Sequence, residues 1–260
     1  MKNRSRKRFG QNFLTDKNVV DQIGLAINAA QTDRILEIGP GRGALTELLI
    51  QSGCHLELIE IDRDLVELLK TTYGNRATIY SADILKFDFS ELPPSSSLIR
   101  VVGNLPYNIS TPLLFRLFQH SELFEDLTFM LQLEVVNRII AEPSNKNYGR
   151  LSIMSQYYCE AEKLFNVPSS AFTPAPKVES ALIRLRPRKN PTTKAKNIKL
   201  LEKLLIEAFS KRRKTVRNAL ASFLSENDLK QLNIDMRLRP ENLKPDDYIR
   251  CANYLADNLT

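Results

Sequence analysis

The sequence is poor in the residues from which metal centres and nucleophilic triads are built. Its 260 residues include two histidines, His55 and His120, and three cysteines, Cys54, Cys159 and Cys251. The cysteines are far apart and no pair has metal-binding or redox spacing, which indicates free thiols in a reducing compartment. Because the histidines are also far apart in sequence, a zinc site or a Ser/His/Asp triad is poorly supported. We therefore expect no metal.

Long apolar segments are absent from the sequence. No run approaches the ~18 apolar residues that a membrane span needs. The N-terminal segment MKNRSRKRFGQNF is basic but lacks the apolar core of a signal peptide. We see no internal repeat and no long low-complexity stretch. These absences predict a cytoplasmic protein without a membrane partner.

Positive charge is concentrated in two parts of the chain. Residues 185–260 carry 17 Lys and Arg against 9 Asp and Glu, whereas residues 1–184 carry 20 against 21. Within the first part, residues 1–8 hold five basic residues and no acid. A slightly acidic body with two basic attachments indicates a polyanionic partner.

Apolar patterns in the first two-thirds of the chain alternate between helical and extended spacing. Repeated strand, turn and helix predict a parallel sheet with helices on both faces, which is an α/β Rossmann-like fold. In such folds ligands bind beyond the carboxyl ends of the strands. The predicted helices are residues 15–30, 44–52, 63–73 and 112–119, and the predicted strands are residues 34–39, 55–62, 77–83, 99–104 and 127–132.

The composition changes near residue 187. Residues 187–197, PRKNPTTKAKN, are polar and contain two prolines and four basic residues, which is typical of a linker. Only helical patterns follow, in three runs: KLLEKLLIEAFS (199–210), TVRNALASFLS (215–225) and DDYIRCANYLADN (246–258). We therefore predict two domains: residues 1–186 form the Rossmann-like domain with its basic N-terminal arm, and residues 187–260 form a small all-helical domain.

A glycine-rich turn follows the first predicted buried strand. In EIGPGRG (residues 37–43), Gly39 and Gly41 allow the backbone to turn sharply and to approach a ligand closely. Glu60 ends the next strand, where an acid can accept hydrogen bonds from ribose hydroxyls, and Asp83 ends the third. The G-x-G-x-G spacing differs from the dinucleotide G-x-G-x-x-G. It therefore favours S-adenosylmethionine over a nicotinamide cofactor, although a dehydrogenase remains an alternative.

The fourth predicted strand ends in Asn104, Leu105, Pro106 and Tyr107. This turn resembles the N-L-P-Y turn of enzymes that methylate amino groups of nucleobases. The exocyclic nitrogen of adenine is a poor nucleophile because its lone pair is delocalised into the ring. An Asn side-chain oxygen and a backbone carbonyl can each accept one of its N–H groups and direct the lone pair at a methyl donor. Pro106 would fix the turn, and Tyr107 would stack on the base.

A base that reaches this turn has to be unstacked or flipped. A second aromatic residue would then stack on the other face of the base. Our candidate is Phe172, in the proline-containing loop SAFTPAPKV (residues 170–178). A buried loop phenylalanine is the alternative interpretation.

Together these motifs resemble the KsgA/Dim1 family of small-subunit ribosomal RNA adenine dimethyltransferases. The resemblance covers nearly the whole chain. The motifs that carry it are KRFGQNFL (7–14), EIGPG (37–41), GNLPYNIS (103–110), YGRL (148–151), FTPAPKV (172–178) and FSKRRKT (209–215). The resemblance implies the transfer of four methyl groups from S-adenosylmethionine to two adjacent adenosines near the 3′ end of 16S rRNA. It also implies a role in 30S biogenesis.

The resemblance also implies residue roles. Asn12 and Leu14 would contact the methionine part of the cofactor. Glu60 would bind the ribose and Asp83 the adenine ring, while Asn104 would serve both the cofactor and the target amine. The expected catalytic residues are Asn104, Leu105, Pro106, Tyr107 and Phe172, and the expected cofactor-binding residues are Asn12, Leu14, Gly39, Gly41, Glu60, Asp83 and Asn104.

The basic segments would grip RNA phosphates. We expect the partner to be 16S rRNA within the 30S subunit or its precursor, bound by a monomer. The expected RNA-binding residues are Arg4, Arg6, Lys7, Arg8, Lys211, Arg212, Arg213, Lys214 and Arg217, and the last five are expected to begin a helix. Two alternatives stay open: an Erm-type enzyme that modifies large-subunit rRNA, and an assembly factor in which binding outweighs catalysis.

Overall fold

The computed structural model describes residues 12–189 and 193–258. The predicted N-terminal contacts Arg4, Arg6, Lys7 and Arg8 lie outside these residues. The chain divides into two compact units. Within the described residues, one comprises residues 12–136 together with Glu160–Pro187, and the other comprises Asn137–Cys159 together with residues 188–189 and 193–258.

This division differs from the predicted one in one respect. Residues 137–159 fall within the predicted first domain, yet they group with the C-terminal helices. Their contacts explain why: the Tyr148 hydroxyl donates to the Leu243 carbonyl at 3.0 Å, and its ring lies 6.3 Å from that of Phe209. The sequence pattern of a short helix after a loop does not show which unit will bury it.

The chain forms nine strands and ten α-helices within the described residues. The strands are β1 (Phe13–Leu14), β2 (Arg34–Ile38), β3 (His55–Glu60), β4 (Thr78–Ser81), β5 (Ile99–Asn104), β6 (Phe124–Gln132), β7 (Cys159–Val167), β8 (Phe172–Thr173) and β9 (Ser180–Pro187). The helices are α1 (Lys17–Ile27), α2 (Ala44–Gln51), α3 (Arg63–Tyr73), α4 (Ser110–Phe118), α5 (Leu133–Ile139), α6 (Arg150–Tyr158), α7 (Ile198–Ser210), α8 (Val216–Ala219), α9 (Glu226–Gln231) and α10 (Pro245–Asn258).

Seven strands form one sheet in the order β4-β3-β2-β5-β6-β9-β7. The strands from β4 to β6 are parallel, and β9 joins β6 in the antiparallel direction. The predicted α/β Rossmann-like fold is therefore confirmed, together with all five predicted strands. The sequence analysis did not predict β7 and β9, which follow the parallel part of the sheet. Separately, β1 and β8 pair antiparallel through Leu14 and Phe172.

The centre of the sheet is fully buried. Leu36 on β2 and Val101 on β5 are both 0% exposed, as expected for parallel strands covered on both faces. Glu57 on β3 is also 0% exposed, and the Arg34 guanidinium on neighbouring β2, which donates to it at 2.9 Å, offsets the cost of burying its charge. The alternation of apolar and polar residues in β3 therefore does not mark a solvent-exposed face. Glu57 is buried in an ion pair, and only His55 in this strand is exposed.

Helix α1 is held at both ends. At its start the Asp16 carboxylate accepts hydrogen bonds from the backbone N–H groups of Asn18 and Val19, as expected of an N-cap. At its end Arg100 donates to the Ile27 carbonyl at 2.7 Å, and Arg184 donates to the Ala26 carbonyl. Positive side chains at a helix C-terminus also complement its dipole. These hydrogen bonds hold α1, which directly follows β1, in place.

The second unit is helical where it is described, and α7 and α10 confirm two of its predicted helices. The third predicted run, TVRNALASFLS, is helical only over Val216–Ala219. At the start of this run the Val216 N–H donates to the Leu238 carbonyl of a neighbouring segment at 2.7 Å. After the helix the Phe223 N–H donates to the Leu220 carbonyl at 2.8 Å, which forms a turn. No helix among the described residues is long and apolar enough to cross a membrane.

Candidate active site

A cavity of about 240 Å³ opens at the carboxyl ends of β2, β3, β4 and β5. This is where a parallel α/β sheet is expected to bind a ligand. All seven residues predicted to bind the cofactor line this cavity, although they come from five separate segments: Asn12, Leu14, Gly39, Gly41, Glu60, Asp83 and Asn104. The fold thus brings together the residues that the motifs single out, and their individual roles stay predictions.

The glycine turn after β2 presents bare backbone to the cavity. Gly39 has φ +66°, in the left-handed region that favours glycine, and a Cβ added there would meet nothing within 4 Å. Its N–H donates to the Ile59 carbonyl at 2.9 Å, which ties the turn to β3. The open space beside Gly39 therefore lets a ligand approach the main chain closely.

Glu60 is fixed at the wall of the cavity by backbone donors. Its Oε2 accepts the Gly41 N–H at 3.2 Å, and its Oε1 accepts the N–H groups of Ile61 and Asp62 at 2.9 Å each. Burial raises the pKa of this carboxyl, while the three backbone hydrogen bonds oppose that rise. The carboxylate is thus pre-oriented to accept hydrogen bonds from ligand hydroxyls.

Glu37 is a second buried acid in the cavity wall, 2% exposed. The Thr46 hydroxyl donates to its Oε2 at 2.6 Å. Burial, with a smaller contribution from the nearby Glu60 charge, raises the pKa of Glu37 to about 7. The sequence analysis noted Glu37 within the glycine motif but did not include it among the site residues.

Apolar side chains complete the wall, and the sequence analysis missed them. Ile61 follows Glu60 and is 45% exposed, and Ile84 follows Asp83 and also lines the cavity. Phe13 lies against Gly41, and the Arg42 guanidinium sits 4.5 Å from the centre of its ring. The sequence did contain a signal for Ile61 and Ile84, because an apolar residue directly follows each of the two strand-end acids.

The end of β5 lies close against the end of β2, where the glycine turn begins. A Cβ on Gly103 would approach the Ile38 carbonyl to 2.5 Å, so only glycine allows β5 to lie this close to the end of β2. Leu105 donates its N–H to the Met130 carbonyl at 3.2 Å, and its side chain is 1% exposed. Leu105 can therefore act only through its backbone.

The amide of Asn104 has a defined orientation. Its Nδ2 donates to the Asn12 carbonyl at 3.0 Å. Because a carbonyl oxygen only accepts, the nitrogen end faces Asn12, and the Oδ1 end remains as an acceptor elsewhere in the site. Asn104 thus joins the segment before β1 to the turn, and it lines the cavity together with Pro106 and Tyr107.

Phe172 does not reach the cavity. Its side chain is 3% exposed in the hydrophobic core, and its strand β8 is paired with β1. The structure therefore places Phe172 as the buried alternative had it, in the strand paired with β1 and opposite Leu14, and its stacking on a flipped base stays a prediction.

Four of the five predicted basic residues lie in an exposed turn rather than at the start of a helix. Lys211, Arg212, Arg213 and Lys214 lie between α7 and α8, and Arg217 lies within α8. The expected helix start is wrong for the first four, because α7 ends at Ser210 and the next helix begins only at Val216; Arg217 does lie at the start of that helix. We refer to residues 211–217 as the basic turn.

The members of the basic turn differ in how they are held. Lys211 pairs with Glu207 at 2.5 Å and Arg217 with Glu226 at 3.1 Å. Arg212 donates to the Lys146 carbonyl at 3.1 Å. The side chains of Arg213 and Lys214 have no ionic or hydrogen-bonding partner within residues 12–189 and 193–258. These two are thus the most available to an external anion.

Comparison with known proteins places this site in a family. Residues 2–257 match the profile of the ribosomal RNA adenine dimethylase family. A *Pseudomonas aeruginosa* protein named ribosomal RNA small subunit methyltransferase A is 52% identical over 256 residues, which cover 98% of this chain and 96% of that protein. A protein of the same name from *Marinobacter nauticus* is 50% identical over 255 residues, covering 97% and 92%.

Solved structures agree with the fold. A dimethyladenosine transferase from *Plasmodium falciparum* superposes with a TM-score of 0.80 at 27% identity, covering 94% of this chain and 98% of that one. The 23S rRNA methyltransferase ErmE superposes with a TM-score of 0.70 at 24% identity, covering 94% and 100%, and at this identity it supports the fold alone. On the family match and the near-complete coverage by relatives at about half identity, this chain belongs to the ribosomal RNA adenine dimethylase family.

Proposed function

We propose that this chain transfers four methyl groups from S-adenosylmethionine to N6 of two adjacent adenosines near the 3′ end of 16S rRNA. The observation that carries the proposal is the turn Asn104–Tyr107, which lies on the wall of a cavity suited to the cofactor. The relatives at about half identity support the small ribosomal subunit as the target.

The residues of the cavity fit S-adenosylmethionine. A nucleoside needs an acceptor for its ribose hydroxyls, and Glu60 is held in place to serve as one. Its adenine ring needs apolar surfaces, which Ile61 and Ile84 offer, and an acceptor for its amino group, which Asp83 offers. The bare backbone at Gly39 leaves room for the methionine part. When bound, the cofactor supplies an activated methyl group on a sulfonium.

Two acceptors in the turn can hold the target amine. One is Asn104 Oδ1, which faces away from the Asn12 carbonyl. The other is a backbone carbonyl, and the structure distinguishes two. The Pro106 carbonyl already accepts from the Ile109 N–H and from the Ser110 hydroxyl, at 3.1 Å each. The Leu105 carbonyl accepts none of the hydrogen bonds found among the described residues, so we assign it as the second acceptor.

Catalysis then rests on positioning and on fixed dipoles. Accepting both N–H groups of the amine makes the nitrogen more tetrahedral and aims its lone pair at the methyl group. The two carbonyl dipoles face the positive charge that develops on the nitrogen. A strong general base is not required before transfer, because the proton can leave afterwards. The scarcity of histidine is consistent with this scheme.

The target base has to leave its stack to reach the turn. Tyr107, half-buried on the cavity wall, would stack on the flipped ring. Pro106 restricts the backbone that carries it. We leave Phe172 out of this arrangement, since it is 3% exposed and does not line the cavity.

The rest of the RNA would be held by charge. We assign Arg213 and Lys214 as phosphate contacts because they are exposed and lack partners among the described residues. Lys211, Arg212 and Arg217 would add to the field while remaining tied to the protein. We further propose that the chain acts as a monomer in the cytoplasm, on 16S rRNA within the 30S subunit or its precursor, and that its binding also assists subunit assembly.

An Erm-type activity on large-subunit rRNA is not favoured. ErmE shares the fold at 24% identity, whereas the relatives named for the small subunit are about half identical over nearly the whole chain. A test compares both subunits as substrates. Tritiated methyl transfer to under-methylated 30S subunits, with 50S subunits as control, should label 16S rRNA only. Label in 23S rRNA alone would overturn the assignment.

A further inference from the structure

Tyr107 is anchored at both ends, and its second anchor lies outside the catalytic turn. The hydroxyls of Tyr107 and Ser180 are hydrogen-bonded at 2.8 Å. Ser180 is the first residue of β9 and is 0% exposed. Neither the glycine motif nor the Asn-Leu-Pro-Tyr turn contains this serine.

The position of Ser180 in the sheet defines the direction of the tyrosine ring. Tyr107 follows β5, whereas β9 is separated from β5 by β6. Ser180 pairs with Gln132, the last residue of β6. To reach Ser180, the ring has to cross the carboxyl end of β6. The hydrogen bond therefore selects one orientation of the side chain.

Free rotation of the ring would weaken stacking. A tyrosine side chain has two torsions, and Pro106 restricts only the backbone that precedes them. A hydrogen bond at the far end of the ring restricts both torsions at once. Burial raises the pKa of the Tyr107 hydroxyl, so it stays protonated at neutral pH and the bond persists.

We propose that Ser180 is a positioning residue for methyl transfer: its buried hydroxyl holds the Tyr107 ring in the orientation that receives the flipped adenine. Ser180 itself touches neither the adenine nor the cofactor in this scheme. The inference rests on the proposed function, since it concerns the base on which that function acts.

The test compares substitutions that separate the hydrogen bond from packing. Ser180→Ala removes the hydroxyl, Ser180→Cys keeps the volume but replaces it by a poor hydrogen-bonding group, and Ser180→Thr keeps a hydroxyl. With under-methylated 30S subunits as substrate, we expect Ser180→Ala and Ser180→Cys to lower kcat about 5- to 10-fold, which is the usual worth of one such hydrogen bond. Ser180→Thr should retain most of the wild-type kcat. The KM for S-adenosylmethionine should change less than about 2-fold in all three.

A double-mutant cycle with Tyr107→Phe identifies the route of the effect. If Ser180 acts only through the Tyr107 hydroxyl, Ser180→Ala adds no further loss to Tyr107→Phe. Multiplying losses would overturn the proposal, as would wild-type kcat in Ser180→Cys. Ser155→Ala is the matched control, because Ser155 is 0% exposed and its hydroxyl has no hydrogen-bond partner within the described residues.

The wild-type protein serves as the reference for the proposed function. If it methylates 16S rRNA and the serine variants behave like it, only the role of Ser180 fails. If the wild-type protein methylates no adenosine of 16S rRNA, the proposed function fails first.

Discussion

The cofactor cavity and the basic turn are built on different physical principles. The cavity depends on backbone and buried groups: a glycine turn, three N–H donors on Glu60, and an amide held by the Asn12 carbonyl. The basic turn depends on exposed charge, of which Arg213 and Lys214 are the least restrained. A substitution in the cavity should therefore abolish a function such as methyl transfer, whereas a substitution in the basic turn should weaken RNA binding by degrees. The predictions below test this contrast.

The largest effect is expected at Asn104. Asn104→Ala removes the side-chain acceptor for the target amine and the hydrogen bond to Asn12. Loss of one preorganised polar group facing developing charge commonly costs about 100- to 1000-fold in kcat. Single-turnover methyl transfer to 30S subunits measures this. Asn227→Ala, at an exposed position on α9, is the control. A loss below 10-fold would remove Asn104 from the chemistry.

Glu37 should make the stability of the cofactor-free protein depend on pH. Its pKa is raised by burial from 4.5 to about 7, so folding favours the neutral acid. Below about pH 4.5 the group is protonated in both states. As the pH rises toward 7, the unfolded chain ionises first and the folded state loses up to about 3 kcal/mol.

Urea unfolding at pH 5 and pH 8 tests this sign. The Glu37→Gln protein should lack this part of the pH dependence, because its side chain stays neutral and can still accept from Thr46. The exposed Glu125→Gln should leave the dependence unchanged. If the free energy of unfolding of the wild-type protein increased no more from pH 8 to pH 5 than that of Glu37→Gln, the result would contradict a buried neutral Glu37.

Removal of the Tyr107 ring should have an intermediate effect. Tyr107→Ala loses about 1–3 kcal/mol of stacking on the target base, which corresponds to roughly 5- to 150-fold. The loss should appear in transfer to 30S subunits while affinity for S-adenosylmethionine is retained, as measured by calorimetry. Unchanged turnover would exclude Tyr107 from the mechanism.

The smallest effect is expected in the basic turn. Converting both Arg213 and Lys214 to Gln should weaken RNA binding and lower the slope of log affinity against log salt by about 2. The control carries Lys199→Gln and Lys203→Gln, two exposed substitutions on α7 with the same change in net charge. An equal slope in both double variants would mean that total charge, rather than the turn, determines binding.

Prediction from sequence succeeded where local pattern and chemistry coincide. The strand-end residues Glu60, Asp83 and Asn104 were expected to lie together because parallel strands bring their carboxyl ends to one edge of a sheet, and all three line the cavity there, while their roles stay predictions.

Where the structure departs from the expectations, the cause is tertiary contact between distant segments. Phe172 is as aromatic as Tyr107, but pairing of β8 with β1 buries it. Residues 137–159 lie before the predicted linker, yet Tyr148 attaches them to the C-terminal helices. Ser180 is an ordinary polar residue in sequence, and only the path of Tyr107 across β6 shows its partner.

One measurement tests the central claim that the Asn104 turn methylates N6 of small-subunit adenosines. Under-methylated 30S subunits are incubated with S-adenosylmethionine and either the wild-type or the Asn104→Ala protein, and nuclease fragments of 16S rRNA are analysed by mass spectrometry. We expect two adjacent N6-dimethyladenosines near the 3′ end with the wild-type protein and almost none with Asn104→Ala. Dimethyladenosine formed equally by both proteins, or by neither, would contradict it.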